Sequence, residues 1–447
     1  MIPIFYAISG ILAIFMCLFS NILRSRLYVT DSMVAILLGI LIEIAGFALF
    51  TDNKEFQLEF SRICVGLQVM TTGINLPDHY VKKHWRSQFW MLIPVMTSGW
   101  LICSCILLII PHITFLEALM IGACITPTDP VLANAITSGP FAEKYVPGNI
   151  RMLLSFESGA NDGLGYPFLF LPIYLMQMSA GAAITQWFLV IMLFNVVLSI
   201  IIGATIGYLL NRLCKWTEKE SHMSIEYLEI FTCAVSVMVL GIVGGIESDD
   251  ILAVFVCGVV FNRDGFLKEE WGLDFAEGLD TLLNVVFFLY LGSILPIDLW
   301  TNGEHFGFGH LIAISILILL FKRLAVVFLF KFIPEIKNIK EAFFVAWFGP
   351  MGVSSLFYCL VLLEKYESEL AYSVVTFVIF VSVFVHGISV PVIVLSDKIE
   401  KMTGIKCSLL WKELDRGNTA SDDGSANELA SAKRRTDEEA VSLEEII

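Results

Sequence analysis

Charged residues are scarce in this chain. Only 16% of its 447 residues are Asp, Glu, Lys or Arg, whereas soluble domains contain about 25%. Hydrophobic residues make up 57%, and a single soluble core cannot hold them all, because such cores stop growing near roughly 250–300 residues. The hydrophobic residues fall in blocks of about 20, the length of a helix that spans a bilayer. The sequence therefore predicts an all-α polytopic membrane protein.

Common catalytic and metal-binding motifs are also missing. The sequence contains no HExxH, GxGxxG or P-loop string. Its ten cysteines are scattered, mostly within apolar blocks, as is typical of buried free thiols. We therefore expect neither an enzymatic activity nor a cofactor. The N-terminal block lacks a basic region and a cleavage site, so it is predicted to be a first membrane helix.

Thirteen apolar blocks are predicted to be membrane spans. In chain order they are 3–21, 32–50, 57–76, 88–110, 115–137, 152–175, 185–210, 225–245, 249–262, 280–297, 309–331, 341–363 and 370–396. Because the connections are short, residues 1–397 are predicted to form one transmembrane domain. Residues 398–447 are polar and poor in aromatic side chains, which predicts a mostly disordered tail.

Connections rich in basic residues alternate along the chain with connections that have almost none. The odd-numbered connections hold fifteen Lys and Arg residues, whereas the even-numbered ones hold only Lys54 and Lys365. Short basic connections stay on the cytoplasmic side of a membrane. The pattern predicts cytoplasmic odd connections, an outside N-terminus and a cytoplasmic tail. It also supports the count of thirteen, because a miscount by one span would destroy the alternation.

The sixth span contains two carboxylates in the stretch ESGANDG. A charge at bilayer depth costs about 2.5 kcal/mol or more. Glu157 and Asn161 are four residues apart, as are Ser158 and Asp162, so these side chains share one helix face. The glycines of the stretch leave room there for another helix or water. The face predicts a Na⁺ or Li⁺ site with oxygen ligands, and the alternative is a polar seam between helices.

The fifth span contains Pro127 and Pro130, which flank Asp129. Each proline removes a backbone donor and clashes with the preceding turn. We expect the helix to break here, and a simple kink is the alternative. Asp129 can cap the half-helix that follows. Carbonyl groups freed near Thr128 can then bind a cation.

The twelfth span is interrupted in the same way, by Gly349, Pro350 and Gly352. The two interrupted spans are seven apart, so spans 1–6 and 8–13 can be two repeats of opposite orientation. Paired interrupted helices in inverted repeats indicate a transporter whose site lies near the membrane midplane.

The eleventh span buries Lys322 and Arg323, too far from its ends to reach water easily. A buried cation needs a carboxylate partner. Glu157 is the expected partner of Arg323, because Asp162 must stay free if it binds the ion. Lys322 is expected to balance the carbonyl dipoles at the break in the twelfth span.

Three further polar residues are candidate modulators. Asp249 and Asp250 stand at the outer start of the ninth span, where they either cap the helix or attract approaching cations. His386 is either a pH-responsive group or a neutral, hydrogen-bonded core histidine.

These motifs resemble those of the fungal plasma-membrane sodium/proton antiporters, within the monovalent cation/proton antiporter superfamily. The resemblance covers about residues 1–396. It rests on CITPTDPVL, ESGANDG, GIESDDILAVFVCGVVFN, FKRLAVV, FVAWFGPMGV and VHGIS. It implies thirteen helices with two crossing discontinuous helices, and a six-helix core bundle beside a dimerisation domain. It also implies an elevator-type motion and a homodimer.

The resemblance assigns roles to the sixth and eleventh spans. It implies that Asp162 is the ion- and proton-binding carboxylate. Asn161 is then its structural neighbour, held by a pair between Glu157 and Arg323.

The resemblance also implies that Ser158 and the Thr128 region supply further oxygens, and that Asp129 and Lys322 neutralise the broken helices. The predicted ion- and proton-binding residues are therefore Asp162, Ser158, Asn161, Thr128 and Asp129. Many relatives outside fungi carry an acidic residue in the third span where this chain has Thr71. One carboxylate of their ion shell is therefore missing here.

The expected function is exchange of Na⁺, and also Li⁺ or K⁺, for H⁺ by alternating access. A cation channel and a cation-coupled solute symporter are the alternatives. Channels usually place broken helices on a symmetry axis, and a symporter needs a larger, aromatic-lined pocket. The expected partners are monovalent cations, protons, the bilayer and a second copy of the chain. The net charge of −15 argues against nucleic acid. The plasma membrane is the expected location, with an endosomal or vacuolar membrane as the alternative.

Overall fold

The structure is a computed structural model. It describes residues 30–45, 53–130, 146–219, 228–265, 277–302 and 307–403, with a few isolated positions outside these ranges. The described residues form helices joined by short connections, and no strand occurs among them. The predicted first span and the tail beyond residue 403 lie outside this description.

The helices within the described ranges are numbered here in chain order. They are α1 (Asp31–Ile44), α2 (Lys54–Ile74), α3 (Tyr80–Trp90), α4 (Met96–Leu107), α5 (Phe115–Cys124), α6 (Gly148–Gly163), α7 (Gly165–Gln177), α8 (Ala180–Gln186), α9 (Leu198–Lys219), α10 (Leu228–Gly244), α11 (Asp250–Phe261), α12 (Glu277–Ser293), α13 (Ile297–Asn302), α14 (Phe308–Phe321), α15 (Ala325–Leu329), α16 (Ile339–Trp347), α17 (Val353–Lys365) and α18 (Glu369–Thr403). Short π-helical segments join α3 to α4 and α8 to α9.

Each predicted span after the first overlaps one of these helices or a consecutive set of them, although residues 46–50 of the second span and most of 131–137 of the fifth lie outside the described residues. By length and composition, four continuous helical stretches in the described part can cross a membrane unaided. They are Tyr80–Leu107, Ala180–Thr217, Phe308–Phe332 and Glu369–Ile393. The other spans are shorter helices or helices interrupted by a break. The last helix continues to Thr403, past the predicted end of the membrane part at residue 397.

Helices extend beyond the apolar blocks where basic residues adjoin them. α3 begins at Tyr80 rather than at residue 88, and α9 continues to Lys219 rather than ending at residue 210. Lys and Arg favour helix, and their long side chains reach water from a helix end. Basic residues assigned to connections, such as Lys82 and Arg212, therefore lie on helical turns.

The connections sort into two faces of the molecule. The His79 amide donates to the Arg263 carbonyl oxygen at 3.1 Å, which joins two odd-numbered connections. The Tyr366 hydroxyl of the twelfth connection donates at 2.7 Å to Glu117 Oε1, in the first turn of α5 directly after the fourth connection. This sorting agrees with an alternating path through thirteen spans.

Close helix packing surrounds α6, the helix that carries the predicted site. A Cβ atom added at Gly163 would lie 2.6 Å from Leu252 Cα of α11. A Cβ atom at Gly159 would lie 2.6 Å from a ring carbon of Phe255. The two glycines therefore admit a neighbouring helix, one of the two occupants that the sequence predicts. This contact fixes α6 against α11.

Candidate functional site at the helix breaks

The fifth and twelfth spans are both interrupted, and their breaks touch. α5 ends at Cys124, and the next helical residue is Pro130. α16 ends at Trp347 and α17 begins at Val353. The Asp129 amide donates to the Pro350 carbonyl oxygen at 2.8 Å. Backbone from the two halves of the chain therefore meets in the interior.

Asp129 holds the starts of both second half-helices. Its Oδ1 accepts from the Leu132 amide at 3.0 Å, and its Oδ2 accepts from the Val353 amide at 2.6 Å. The side chain is fully buried. Amide groups in a first helical turn lack intrahelical partners, and a negative charge is favourable there. The sequence predicts the first of these caps but not the second.

Lys322 binds the carbonyl end of the first half-helix of the fifth span. Its Nζ donates to the carbonyl oxygens of Ile125 at 2.7 Å and Pro127 at 3.0 Å. The prediction that Lys322 balances the twelfth span was wrong. The prolines deprive carbonyl groups of the fifth span of helical donors, and these carbonyls lie nearest to the ammonium group.

Arg323, rather than Lys322, binds the carbonyl end of the first half-helix of the twelfth span. Its Nε donates to the Val345 carbonyl oxygen of α16 at 3.0 Å. Its two terminal nitrogens donate to the two carboxylate oxygens of Glu157, each at 2.7 Å. Both side chains are buried. Such a two-point contact is among the stronger side-chain interactions, and it fixes α6 to the end of α16.

A hydrogen-bonded group joins the sixth span to the break in the fifth. Asn161 Oδ1 accepts from the Thr128 amide at 3.1 Å, and Asn161 Nδ2 donates to Thr128 Oγ1 at 2.8 Å. Thr128 Oγ1 also lies 3.2 Å from Ser158 Oγ. The structure thus brings Thr128, Ser158 and Asn161 together, and their side-chain oxygen atoms lie at the break in the fifth span.

Asp162 differs from its neighbours. Its side chain is fully buried, and neither carboxylate oxygen has a hydrogen-bond partner among the described residues. Its backbone is held, because the Tyr358 hydroxyl donates to the Asp162 carbonyl oxygen at 2.5 Å. A buried carboxylate without partners is costly. The site therefore presents one fixed carboxylate that is open to a ligand.

Thr71 contributes no oxygen to this group in the structure. Its hydroxyl donates to the Leu67 carbonyl oxygen of its own helix at 3.0 Å. The neighbouring Thr72 hydroxyl donates to the Gln68 carbonyl oxygen at 2.8 Å. Both hydroxyl protons are thus used within α2.

The candidate modulators lie at two places. Asp249 caps α11, because its Oδ1 accepts from the Leu252 amide at 3.0 Å. Asp250 lies 3.4 Å from the Arg62 guanidinium. His386 Nε2 lies 3.0 Å from the Trp347 carbonyl oxygen, at the end of α16. The helix-capping interpretation of Asp249 is confirmed, and His386 is hydrogen-bonded within the core.

Sequence reasoning missed three residues at the site. Ser354 and Tyr358 lie on α17, one turn apart, and both are buried. Ser382 Oγ accepts from the Met351 amide at 2.9 Å, which ties α18 to the break in the twelfth span. The only sequence signal was the presence of polar side chains shortly after the GPMG break. Hydroxyl residues are too common in membrane helices for this signal to assign them a role.

A sixth-span break was also missed. α6 ends at Gly163 and α7 begins at Gly165, with Leu164 between them. The Gly165 amide donates to the Tyr358 hydroxyl at 3.1 Å instead of continuing the helix. The break directly follows Asp162, so the aspartate lies at the end of a helix.

The interrupted helices and the buried aspartate are features of the antiporter fold. The solved structure of the sodium proton antiporter MjNhaP1 from Methanocaldococcus jannaschii superimposes with a TM-score of 0.64 at 18% identity. The match covers 86% of this chain and 99% of that one. The family model described as sodium/hydrogen exchanger, transmembrane, matches residues 11–396. The chain belongs to this family of multi-pass membrane proteins.

Fungal relatives are similar over most of the chain. Na(+)/H(+) antiporter 2 of Zygosaccharomyces rouxii is 34% identical over 89% of this chain and 53% of its own length. A Na(+)/H(+) antiporter of Schizosaccharomyces pombe is 33% identical over 88% of this chain and 91% of its own length. The chain spans about half the length of the Z. rouxii relative and of two further fungal relatives.

Proposed function

We propose that this chain exchanges Na⁺ for H⁺ across a membrane, with Li⁺ and K⁺ as further candidate substrates. The exchange proceeds by alternate exposure of Asp162 to the two sides. The single observation that carries the proposal is the buried Asp162 carboxylate, which has no hydrogen-bond partner among the described residues. The printed activities of the fungal relatives support the same class of reaction.

Competition at Asp162 couples the two ions. The carboxylate carries a proton or binds a cation, but not both, so each ligand weakens the binding of the other. A difference of one pH unit supplies about 1.4 kcal/mol per proton. An empty, charged aspartate is costly to move through the membrane, so the unloaded carrier does not cross and leakage is suppressed.

The surrounding charges support exchange of one cation for one proton. Glu157 is paired with Arg323, and the negative charge of Asp129 is matched by the positive charge of Lys322 on the other side of the same break. Asp162 then leaves one negative charge, which one monovalent cation or one proton neutralises. Ser158 and Thr128 supply neutral oxygens for the cation, and Asn161 holds Thr128 in place.

We also propose a topology, a membrane and an oligomeric state for this chain. The basic connections face the cytoplasm, the N-terminus lies outside and the tail is cytoplasmic, in the plasma membrane. The chain forms a homodimer and uses no cofactor. Asp249, Asp250 and His386 modulate transport without binding the ion.

The test is proton flux in proteoliposomes on addition of Na⁺, Li⁺ or K⁺, with the membrane voltage clamped. We expect Na⁺-driven proton flux in the native protein and none in Asp162→Asn. Asp78→Asn is the matched control, because Asp78 is half exposed and pairs with Lys83 at the surface. Na⁺ flux without proton flux would indicate a channel. Exchange that persists in Asp162→Asn would disprove the role of the aspartate.

A further inference from the structure

One face of α17 is directed at Asp162, and the exchange described above does not use it. Ser354 and Tyr358 are four residues apart, so they lie on the same strip of the helix. Both side chains are fully buried. Tyr358 contacts the Asp162 backbone through its hydroxyl at 2.5 Å. Ser354 is one turn nearer to the break in the twelfth span, in the first turn of α17.

Ser354 lies between two contacts of α17 with the site: the Val353 amide donates to Asp129 Oδ2, and the Tyr358 hydroxyl donates to the Asp162 carbonyl oxygen. Ser354 Oγ has no partner among the described residues. The Ser354 and Asp162 side chains are thus both buried without partners in this part of the chain. Native interiors rarely leave such groups unsatisfied unless a ligand or ion completes them.

The other nearby hydroxyl groups are already engaged. Thr128 Oγ1 accepts from Asn161 and lies 3.2 Å from Ser158 Oγ. The Thr71 hydroxyl donates within its own helix. The Ser354 hydroxyl, in contrast, has no hydrogen-bond partner in the described part of the chain.

We infer that Ser354 is an additional ligand of the transported cation, supplied by the second half-helix of the twelfth span, and that Tyr358 positions Asp162 beside it. The inference rests on the proposed function. When Na⁺ is bound, the Ser354 oxygen faces the ion, so the two halves of the chain both contribute to the ion shell.

Tyr358 acts through the backbone. Its hydroxyl accepts from the Gly165 amide and donates to the Asp162 carbonyl oxygen, so it bridges the break between α6 and α7. A Cβ atom at Gly165 would overlap the Tyr358 ring. The tyrosine therefore sets where the helix that carries Asp162 ends, without touching the ion.

The first test compares Ser354→Ala with Ser355→Ala. Ser355 is the adjacent residue of α17, is also fully buried and has a hydroxyl without a partner among the described residues. Loss of one oxygen that contacts a charge is expected to raise the apparent KM for Na⁺ about tenfold. We expect Vmax to change less than about twofold on the same grounds. Ser355→Ala is expected to keep the native KM.

A second readout does not depend on transport. Bound Na⁺ stabilises the purified protein against heat, and at a fixed Na⁺ concentration the stabilisation rises with the affinity. At a fixed Na⁺ concentration, Ser354→Ala should show a smaller Na⁺-dependent rise in Tm than Ser355→Ala. An equal rise in both variants would overturn the assignment of Ser354. Absence of proton flux in the native protein would instead count against the proposed function, while the Tm comparison still tests the ligand.

Tyr358→Phe tests the positioning role. It removes one hydroxyl and keeps the ring, and we expect a shifted pH profile of exchange with the KM for Na⁺ changed less than in Ser354→Ala. Tyr372→Phe is the control, because the buried Tyr372 hydroxyl lies 3.3 Å from Gln57 Oε1 and 3.4 Å from the Ile294 carbonyl oxygen, and we assign it no role at the site. Equal pH profiles for Tyr358→Phe and Tyr372→Phe would overturn the positioning role.

Discussion

Individual residues at the site divide into those with partners and those without. Glu157 and Arg323 form a two-point ion pair in the interior, and Lys322 has two carbonyl partners. Asp162 and Ser354 have none among the residues that the structure describes. The paired residues stabilise the fold, and the unpaired ones are those to which we assign the ion in the proposals above.

Arg323→Ala should destabilise the protein strongly. It leaves the Glu157 carboxylate and the Val345 carbonyl oxygen buried without their donor, and loss of one member of a buried ion pair costs about 3–5 kcal/mol. Thermal unfolding in detergent measures the loss. Glu157→Gln in the same chain should restore part of the Tm, because the orphaned charge is removed.

A surface ion pair provides the control for that experiment. Lys83 lies 3.1 Å from Asp78, and both side chains are about half exposed, at 56% and 52%. Lys83→Ala should cost less than about 1 kcal/mol. If Glu157→Gln gives no rescue of Arg323→Ala, the pair does not explain the loss.

At the scale of helices, the site depends on half-helices that meet end to end. Asp129 satisfies the first turns of two of them, while Lys322 and Arg323 satisfy the carbonyl ends of the other two. The breaks in the fifth and twelfth spans follow from proline and glycine residues, which can be recognised directly in the sequence. The break in the sixth span follows the same rule, because Pro167 has no amide proton to donate to the Gly163 carbonyl oxygen and its ring clashes with that group. The Tyr358 hydroxyl then accepts from the Gly165 amide.

Gly352→Ala should abolish exchange. A Cβ atom at this position would overlap the Asp129 carboxylate, so the cap on α17 must move. Gly241→Ala is the matched control, since a Cβ atom there meets nothing within 4 Å and alanine favours helix over glycine by about 1 kcal/mol. Gly352→Ala should show no proton flux in proteoliposomes and a lower Tm, whereas Gly241→Ala should keep the native flux and Tm. Normal flux in Gly352→Ala would contradict the cap.

Asp129→Asn should have an intermediate effect. The amide retains one acceptor oxygen, so it can serve the amide of Leu132 or that of Val353, but not both. One unsatisfied buried donor costs about 1–3 kcal/mol. We expect Asp129→Asn to lower the free energy of unfolding by less than Asp129→Ala, which removes both acceptors. Equal losses would mean that the second cap contributes nothing.

At the scale of the whole molecule, connections of the same parity gather at each face. The His84 ring and the Ser87 hydroxyl contact the Glu335 carboxylate, and Asn149 donates to the Glu335 carbonyl oxygen at 2.5 Å. These contacts join the third, fifth and eleventh connections. The face that they stabilise is the one that the charge pattern assigns to the cytoplasm.

Cysteine labelling tests this orientation. Lys82 lies on the first turn of α3 and Glu367 lies before α18, and both are exposed. A membrane-impermeant thiol reagent should label Glu367→Cys in intact cells and Lys82→Cys only in inside-out vesicles. The native chain provides the background from its own cysteines. The reverse pattern would invert the proposed topology.

Much of this arrangement could be predicted from the sequence, for physical reasons. Few charges lie within the apolar blocks, so Glu157 was the natural candidate partner of Arg323, and the structure pairs the two. The oxygen-rich face of α6 follows from helical spacing alone. The carbonyl partners of Lys322 depend on how two breaks cross, which is a long-range property. Tyr358 and Ser354 gave only the weak signal of polar atoms behind the break, because an aromatic or hydroxyl residue in an apolar helix usually serves packing.

The double cap at Asp129 has a mechanical consequence. One side chain holds the starts of two helices that come from opposite halves of the chain, so neither helix can slide along the other while both bonds persist. Any displacement of the ion site must carry the two as a rigid unit. Substitutions at the two helix starts, although over two hundred positions apart in sequence, should therefore show strongly non-additive effects in a double-mutant cycle.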